Sequence, residues 1–430
     1  MSYGLRGDGM TMRWSQGWIQ MVAALSCAAL LGLGACADDS TLSGNGASGH
    51  GGEAASGASS AGGGGGEGGC SQLPPPAPDG LVCAEWSCTP VAAPECWQCA
   101  AVPAADGTAC TSPDVPIGTC AGGVCAPAPD PGDPNGATLP AGSYDLELQG
   151  ELAGTTLTLT IYLPAGAGPF PVVVFHHGFQ LGTELYASYG EHLASWGYVV
   201  VMPQMPGGLI GGPTHRDLEH YLQAVLDWIE ATGADPNGPL AGKADATHIG
   251  LAGHSMGGKI SMLTATDDSR PLAVFGIDPV DAAGSPLPSD PADYPSVTPE
   301  LMDLITIPLG LLGETTNATC SGIMCQACAP AEDNFQQYYQ YAVSPAQQIE
   351  ILGANHMSFL DDPNCGLTCS VCDPGTDDPA ITRRLTRRYM TAFFNVVLKQ
   401  QDAYRYYLTG AGMDADVAAA LTTSESKNGW

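Results

Sequence analysis

Positive charge is scarce in this chain. Only 13 Lys and Arg residues stand against 44 Asp and Glu residues among 430, which gives a formal net charge of -31. Such a surface repels phosphate backbones and anionic lipid headgroups. We therefore expect no nucleic-acid partner, and we expect any membrane contact to depend on something other than surface charge.

The first apolar run lacks the length that a transmembrane helix needs. It covers residues 21–33, follows Arg13, and is followed by a Leu-Gly-Ala-Cys sequence that ends at Cys36. This arrangement resembles a bacterial lipoprotein signal, in which the cysteine is lipidated and becomes the first mature residue. The resemblance implies a signal peptide over residues 1–36 and export to a bacterial membrane, at the outer membrane or cell surface, with Cys36 as the only anchor. A cleaved secretory signal or a weak membrane helix is the alternative.

Large apolar side chains are nearly absent from residues 43–69, which are mostly Gly, Ser and Ala. A segment of this composition cannot bury enough apolar surface to fold. We therefore predict a disordered tether over residues 37–69.

The next segment has many cysteines but no nearby histidine. Apart from Cys27 and Cys36, the 16 cysteines form a set of eight between residues 70 and 125 and a set of six between residues 320 and 372. Even sets in an exported chain indicate disulfides, although the spacing of Cys96 and Cys99 would also suit zinc. We predict a small disulfide-rich module over residues 70–127, of unknown ligand, and a stiff Pro-rich joint over residues 128–140.

From residue 141 the pattern changes to alternating strands and helices. Residues 144–149 and 156–163 alternate apolar with polar side chains, as half-exposed strands do. Short continuous apolar runs, typical of strands covered on both faces, follow at 171–175, 198–202, 248–252, 273–277 and 307–312. Helix-period segments lie at 184–196, 216–231 and 256–266, and a last strand at 348–352 precedes a closing helix at 383–399.

This order predicts an α/β protein with a mostly parallel sheet flanked by helices. The layout resembles the α/β-hydrolase fold. We place that catalytic domain at residues 141–410 and a C-terminal tail at residues 411–430.

Ser255 stands in a Gly-His-Ser-Met-Gly sequence that follows a buried-strand run and precedes a helix. A strand-turn-helix elbow of this kind exposes a serine hydroxyl as a nucleophile, and its glycines are needed where the backbone crowds strand and helix. A surface turn with an idle serine is the alternative.

Only one histidine follows Ser255 in the sequence. A serine hydroxyl needs a base within hydrogen-bond reach, and in this fold the base follows the nucleophile in sequence. His356 is the only one of nine histidines beyond Ser255, and it directly follows the last predicted strand. We predict His356 as the base, against the alternative of an exposed loop histidine without a role.

Two carboxylates lie at predicted strand ends where a third member of such a triad could act. Asp278 lies 23 residues after Ser255, and Glu314 follows the next strand. Position alone slightly favours Glu314 and leaves both open.

A developing oxyanion needs two N–H donors. The backbone N–H groups of Met256, at the helix start, and of Phe179, after a His-Gly turn, are our candidates. Candidate pocket residues are Gln180, His177, His254 and Met357, although the side chains of His176 and His177 are expected to be mainly structural.

These segments resemble plant chlorophyllases and, more distantly, platelet-activating-factor acetylhydrolases. The matching stretches are 172–179, 253–259, 276–281, 328–330 and 356–362. In both families the triad acid ends the sixth strand, so the resemblance implies Asp278 rather than Glu314. The chain departs from chlorophyllases at Met256, where they commonly have Arg, and the cysteine-rich module is foreign to them.

The resemblance implies a serine esterase that needs no metal and no organic cofactor and acts on a small-molecule or polymeric ester. A polyester or lipid hydrolase of the same fold, and an inactive surface-tethered binding protein, are the alternatives. The six later cysteines frame the predicted site, and we predict three disulfides whose bridges clamp the His356 loop against the pocket.

Overall fold

A computed structural model describes residues 73–78, 80–92, 95–105, 108–112, 115–208, 212–282, 290–320, 327–366 and 368–430. The predicted signal, Cys36 and the predicted tether lie outside the described residues. No helix within these ranges has the length and apolar character needed to cross a membrane. The chain divides into two compact units, with the boundary between Pro103 and Ala104.

The described part of the first unit contains an antiparallel hairpin. Strands β1 (Ala84–Pro90) and β2 (Trp97–Pro103) pair so that Cys88 lies opposite Cys99, and a disulfide joins them. Cys96 is also disulfide-bonded, so the zinc alternative for the pair of Cys96 and Cys99 is wrong.

The predicted cysteine-rich module spans the boundary between the two units. Its second half forms a three-stranded antiparallel sheet that belongs to the second unit, with a disulfide between Cys110 and Cys125. The strands are β3 (Ala109–Ser112), β4 (Val115–Ala121) and β5 (Val124–Pro127). The segment expected as one module is therefore shared between two compact units.

A nine-stranded sheet forms the centre of the second unit, in the order β14-β13-β12-β11-β10-β8-β9-β7-β6. The six strands β8 to β13 are parallel, while β6, β7 and β14 join antiparallel at the edges. The strands are β6 (Gly142–Glu147), β7 (Thr156–Tyr162), β8 (Phe170–His176), β9 (Val199–Gln204), β10 (Ala244–His254), β11 (Pro271–Ile277), β12 (Leu309–Gly313), β13 (Ala346–Ile351) and β14 (Thr422–Lys427).

Helices cover both faces of this sheet, which confirms the predicted α/β fold. They are α1 (Ala187–Ser195), α2 (His215–Ala234), α3 (Met256–Asp267), α4 (Phe335–Tyr341), α5 (Pro379–Lys399) and α6 (Ala411–Ala418). Short 3₁₀ turns lie at Gly150–Leu152, Thr183–Tyr186, Met302–Leu304, Cys369–Val371 and Asp402–Tyr407.

Alternate residues of the central strands belong to different cores. Val172 and Val174 of β8 pack in the cluster that contains α2, α3 and α4, whereas Val173 and Phe175 pack in the cluster that contains α1 and α5. Successive side chains of a strand point to opposite faces, so a strand covered on both sides is apolar throughout. This is the physical reason for the continuous apolar runs in the sequence.

The expected C-terminal tail is part of the fold. Residues 411–430 contain α6 and β14, and β14 extends the sheet antiparallel to β13, from Thr422 opposite Ile351 to Lys427 opposite Ala346. The prediction was wrong because β14 reads Thr-Thr-Ser-Glu-Ser-Lys, without an apolar alternation, as an exposed edge strand can.

The Pro-rich joint is bound to the second unit. Asp130 accepts hydrogen bonds from Arg384 at 2.8 Å and from Arg388 at 2.6 Å, both on α5. The indole N–H of Trp196 donates to the backbone oxygen of Asp133 at 2.8 Å. These contacts fix the start of the expected joint against the helical layer, instead of leaving it as a free spacer.

A disulfide joins the two loops that frame the predicted site. Cys328 is joined to Cys372, whereas Cys365 is joined to Cys369 within one loop. Cys320 is also disulfide-bonded. Of the two described bridges, only the one between Cys328 and Cys372 matches the predicted clamp between the loops.

Removing the bridge between Cys328 and Cys372 should destabilise the protein more than removing its neighbour. The two cysteines are 44 residues apart, against four for Cys365 and Cys369. Loop-closure entropy then gives about 4 kcal/mol for the long bridge and about 2 kcal/mol for the short one. Urea unfolding of the two double Cys→Ser variants measures both losses, and equal losses would contradict this account.

Candidate active site

Ser255 lies at a sharp turn between β10 and α3. Its φ of 56° and ψ of -125° are strained for a residue with a side chain, and its N–H donates to Ile277 O at 3.0 Å. A Cβ on Gly253 would lie 2.4 Å from Gly257 C, and one on Gly257 would lie 2.2 Å from His176 O. Only glycine fits at these two positions, so the backbone can make the tight turn that presents the serine hydroxyl.

His356 lies in the loop after β13 and faces Ser255. Its Nε2 is 2.9 Å from Ser255 Oγ, and its Nδ1 is 2.6 Å from Asp278 Oδ2. Both distances are within hydrogen-bond range. With Nδ1–H donating to the carboxylate, Nε2 is left as the acceptor for the serine proton.

Burial lowers the pKa of His356 to about 4, because the imidazolium form is poorly solvated inside the protein. The side chain of Asp278 is likewise fully buried. The imidazole is therefore neutral near pH 7 and can accept a proton, as a base must.

The structure brings Asp278 to the histidine and places Glu314 behind it. Glu314 Oε2 accepts from Asn317 N–H at 2.8 Å, and the N–H of Glu314 donates to Asp278 Oδ1 at 3.2 Å. The side chain of Glu314 therefore makes no direct hydrogen bond to the ring of His356 among the described residues. The position that slightly favoured Glu314 in the sequence is occupied by a second buried acid.

These three residues also raise the question of a metal. Oxygen atoms of Asp278 and Glu314 and a ring nitrogen of His356 lie within 4.8 Å of one another. The short bond between His356 Nδ1 and Asp278 already uses the facing atoms. We therefore assign this group to hydrogen bonding.

The two candidate oxyanion donors have free N–H groups. Met256 is the first residue of α3, where an N–H has no partner within the helix, and Phe179 lies in the loop after β8. In the part of the chain that the structure describes, neither N–H donates a hydrogen bond within the protein. Both are therefore available to a ligand.

His254, expected in the substrate pocket, is fully buried and connects the loops of the site. Its Nε2–H donates to His356 O at 3.0 Å, and its Nδ1 accepts from Tyr186 O–H at 2.8 Å. Tyr186 in turn accepts from Gly178 N–H at 3.1 Å. The expectation is corrected: both ring nitrogens of His254 are used within the protein, so they cannot bind substrate.

His177 has a similar structural role. Its Nδ1–H donates to Gly178 O at 2.8 Å, and its Nε2 accepts from Met205 N–H at 2.9 Å. Met357 is 7% exposed and packs in the core with α1 and α5. Of the candidate pocket residues only Gln180 is exposed, beside Phe179 with its 38% exposure.

Asn317 is a functional candidate that sequence analysis missed. Its Oδ1 accepts from His356 N–H at 2.8 Å, and its Nδ2–H donates to Asp373 O at 2.9 Å. It is fully buried, although it stands in a polar, cysteine-flanked segment. No periodicity marks such a residue, because its partners lie 39 and 56 positions away.

Residues 138–415 match the chlorophyllase family model, which covers more than half of the chain. The chain belongs to the chlorophyllase family. This membership implies a serine ester hydrolase of the α/β-hydrolase type. The more distant resemblance to platelet-activating-factor acetylhydrolases stays a prediction.

Several known chlorophyllases are similar to this family member. Chlorophyllase-2 of Arabidopsis thaliana is 25% identical over 254 residues, which cover 57% of this chain and 78% of that protein. Chlorophyllase-1 of the same plant is 29% identical over 214 residues, or 47% of this chain and 63% of its own length. Putative esterase/lipase 3 of Mycoplasma pneumoniae is 31% identical over 102 residues, or 23% and 32%.

The Tyr186 hydroxyl should matter for turnover as well as for stability. Tyr186→Phe leaves Gly178 N–H and His254 Nδ1 without a partner in the protein interior, at a cost of about 1–3 kcal/mol per buried group. Because Gly178 precedes Phe179, ester hydrolysis should slow as well. Urea unfolding and initial rates with a nitrophenyl ester measure the two effects.

Tyr198→Phe is the matched control for this substitution. Tyr198 directly precedes β9 and is equally buried, and its hydroxyl donates to Asn395 Oδ1 of α5 at 2.7 Å. This variant should lose stability and keep its turnover. Equal turnover in the two variants would exclude a role for the Tyr186 network in the site.

Proposed function

We propose that this chlorophyllase-family protein hydrolyses carboxylic esters through Ser255, His356 and Asp278. The observation that carries the proposal is the continuous chain from Ser255 Oγ to His356 Nε2, at 2.9 Å, and from His356 Nδ1 to Asp278 Oδ2, at 2.6 Å. This is the arrangement that activates a serine hydroxyl.

In the first half-reaction Ser255 Oγ attacks the ester carbonyl while its proton passes to His356 Nε2. The tetrahedral intermediate carries its negative charge on the former carbonyl oxygen, which the N–H groups of Phe179 and Met256 stabilise. The intermediate collapses when the C–O bond to the alcohol breaks. His356 returns the proton to the leaving alcohol, and an acyl-Ser255 ester remains.

In the second half-reaction water replaces the alcohol. His356 takes a proton from the water as it attacks the acyl carbon, and a second tetrahedral intermediate forms in the same oxyanion site. This intermediate expels Ser255, which regains its proton from His356. Throughout, the charge on Asp278 stabilises the imidazolium that forms at each transfer.

The substrate is an ester with an apolar part. The side chain of Phe179 is exposed and apolar, and the N–H of the same residue is a proposed oxyanion donor. Met256, next to the nucleophile, is partly buried. The name of the similar proteins refers to chlorophyll. This chain differs from chlorophyllases directly after the nucleophile, where it has Met256 and they commonly have Arg. We therefore favour an apolar ester other than chlorophyll. The alternative, an inactive binding protein, is less consistent with the free N–H groups of Phe179 and Met256 and with the aligned hydrogen bonds between Ser255, His356 and Asp278.

Ser255→Ala should abolish hydrolysis, because among the described residues Ser255 Oγ is the nucleophile that hydrogen-bonds to His356 Nε2. Asp278→Asn should lower kcat on the order of 10⁴-fold, because the amide favours the wrong histidine tautomer. The assay is a series of nitrophenyl esters of increasing acyl length, which also distinguishes short esters from lipid-like ones.

Ser344→Ala is the matched control. Ser344 is buried, and its hydroxyl has no hydrogen-bond partner among the described residues. It should behave as the wild type. Activity retained in Ser255→Ala would refute the proposed nucleophile.

We also propose that Cys36 carries a lipid anchor that holds the enzyme at a bacterial membrane, on the basis of the apolar run and the Leu-Gly-Ala-Cys sequence. In a bacterial host, the wild type should incorporate labelled fatty acid and sediment with membranes. Cys36→Ser should do neither, whereas Cys27→Ser, within the same run, should behave as the wild type. Membrane-bound, labelled Cys36→Ser protein would contradict the anchor.

A further inference from the structure

Two buried acids meet behind the proposed base. Asp278 follows β11 and Glu314 follows β12, and these strands are parallel neighbours in which Ile277 lies opposite Leu312. Both side chains are fully buried, and a carboxylate oxygen of one lies within 4.8 Å of a carboxylate oxygen of the other. Their juxtaposition follows from the register of the sheet.

One carboxylate oxygen of this pair lacks a hydrogen-bond donor among the described residues. Asp278 Oδ2 accepts from His356 and Oδ1 from Glu314 N–H, while Glu314 Oε2 accepts from Asn317 N–H. Glu314 Oε1 is buried and meets no donor among the described residues. An ionised oxygen in this position would be costly, because a buried charge needs a partner.

Cationic side chains do not compensate the second charge. In the described part of the chain, no Lys or Arg forms an ion pair with either acid. Lys259, a buried lysine of α3, is held by Asp281, to which its Nζ lies at 3.1 Å. His356 is neutral in the resting state, because burial lowers its pKa. Two adjacent buried carboxylates would therefore repel each other without compensation.

We propose that Glu314 is a neutral carboxylic acid in the resting protein, donates its proton in a hydrogen bond to Asp278, and positions both Asp278 and His356. The inference deepens and rests on the proposed function, in which Asp278 carries the single negative charge of the pair. Glu314 is a positioning residue, since it contacts the triad members and not the ester.

The shifts of the two acids support this arrangement. Burial and the neighbouring charge of Asp278 raise the pKa of Glu314 to about 9. Burial also raises the pKa of Asp278, to about 8, although hydrogen bonds from Glu314 oppose that rise. Both shifts disfavour two negative charges side by side, and the N–H that His356 donates to Asp278 at 2.6 Å favours the remaining charge on Asp278 and the shared proton on Glu314.

A second route joins Glu314 to the base through Asn317. The N–H of Asn317 donates to Glu314 Oε2, and Asn317 Oδ1 accepts from His356 N–H. The Nδ2–H of Asn317 donates to Asp373 O, next to the disulfide-bonded Cys372. Glu314 thus holds the carboxylate on one side of the imidazole and the backbone of the base loop on the other.

Infrared difference spectroscopy tests the protonation state. In the Ser255→Ala protein at neutral pH, Glu314→Gln should remove one carbonyl-stretch band of a protonated carboxylic acid. Glu219→Gln is the control: burial raises the pKa of Glu219, on α2, to about 7 although Arg216 lies 2.6 Å away, so its replacement should remove only its own band and leave the Glu314 band. A band that survives Glu314→Gln and disappears in Asp278→Asn would overturn the proposal.

Kinetics of the otherwise native protein test the positioning role. Glu314→Gln keeps an acceptor for Asn317 N–H and supplies an N–H to Asp278, so kcat should fall less than about tenfold. Glu314→Leu removes both and should lower kcat on the order of 10- to 100-fold, with KM little changed. A loss in Glu314→Gln as large as that in Asp278→Asn would show that Glu314 acts as an anion, and would overturn the proposal.

The two proposals fail in different ways. If Ser255→Ala hydrolyses esters like the wild type, the proposed function is wrong, but the infrared band still decides the charge of Glu314. If Ser255→Ala is inactive and the band is missing, the proposed function stands and the neutral acid is wrong.

Discussion

The hydrogen bond between His356 and Asp278 is the interaction on which the site depends. It fixes the ring so that Nε2 faces Ser255, and it does so where burial excludes water from both partners. Such a bond is strong in a low-dielectric interior, but every unpaired charge nearby becomes costly for the same reason. The groups around His356 and Asp278 therefore favour a single negative charge beside the imidazole.

The sheet supplies the positions at which these groups meet. The parallel strands β10, β11, β12 and β13 all end at the same edge, so the residues that follow them converge although they are far apart in sequence. Ser255 follows β10, Asp278 follows β11, Glu314 follows β12, and His356 lies in the loop after β13. A change of register by one residue would turn these side chains to the wrong face.

Sequence reasoning identified what depends on local pattern or on simple elimination. Ser255 stands out because its glycines and flanking strand and helix are neighbours in sequence, and His356 because it is the only downstream histidine. The choice between Asp278 and Glu314 depends on side-chain directions across two strands, which composition and spacing do not contain. The role of His254 depends on partners 68 and 102 residues away, so its pocket assignment failed.

The loop that carries His356 needs contacts from distant elements, because no helix directly follows His356 in sequence as α3 follows Ser255. Three contacts from different elements restrain this loop. Asn317 and His254 bind the backbone of His356 on either side, and Tyr189 of α1 donates to Phe359 O at 2.6 Å. A displacement of about 1 Å can cost on the order of 10²-fold in rate, so residues that never touch the ester still set how well the base works.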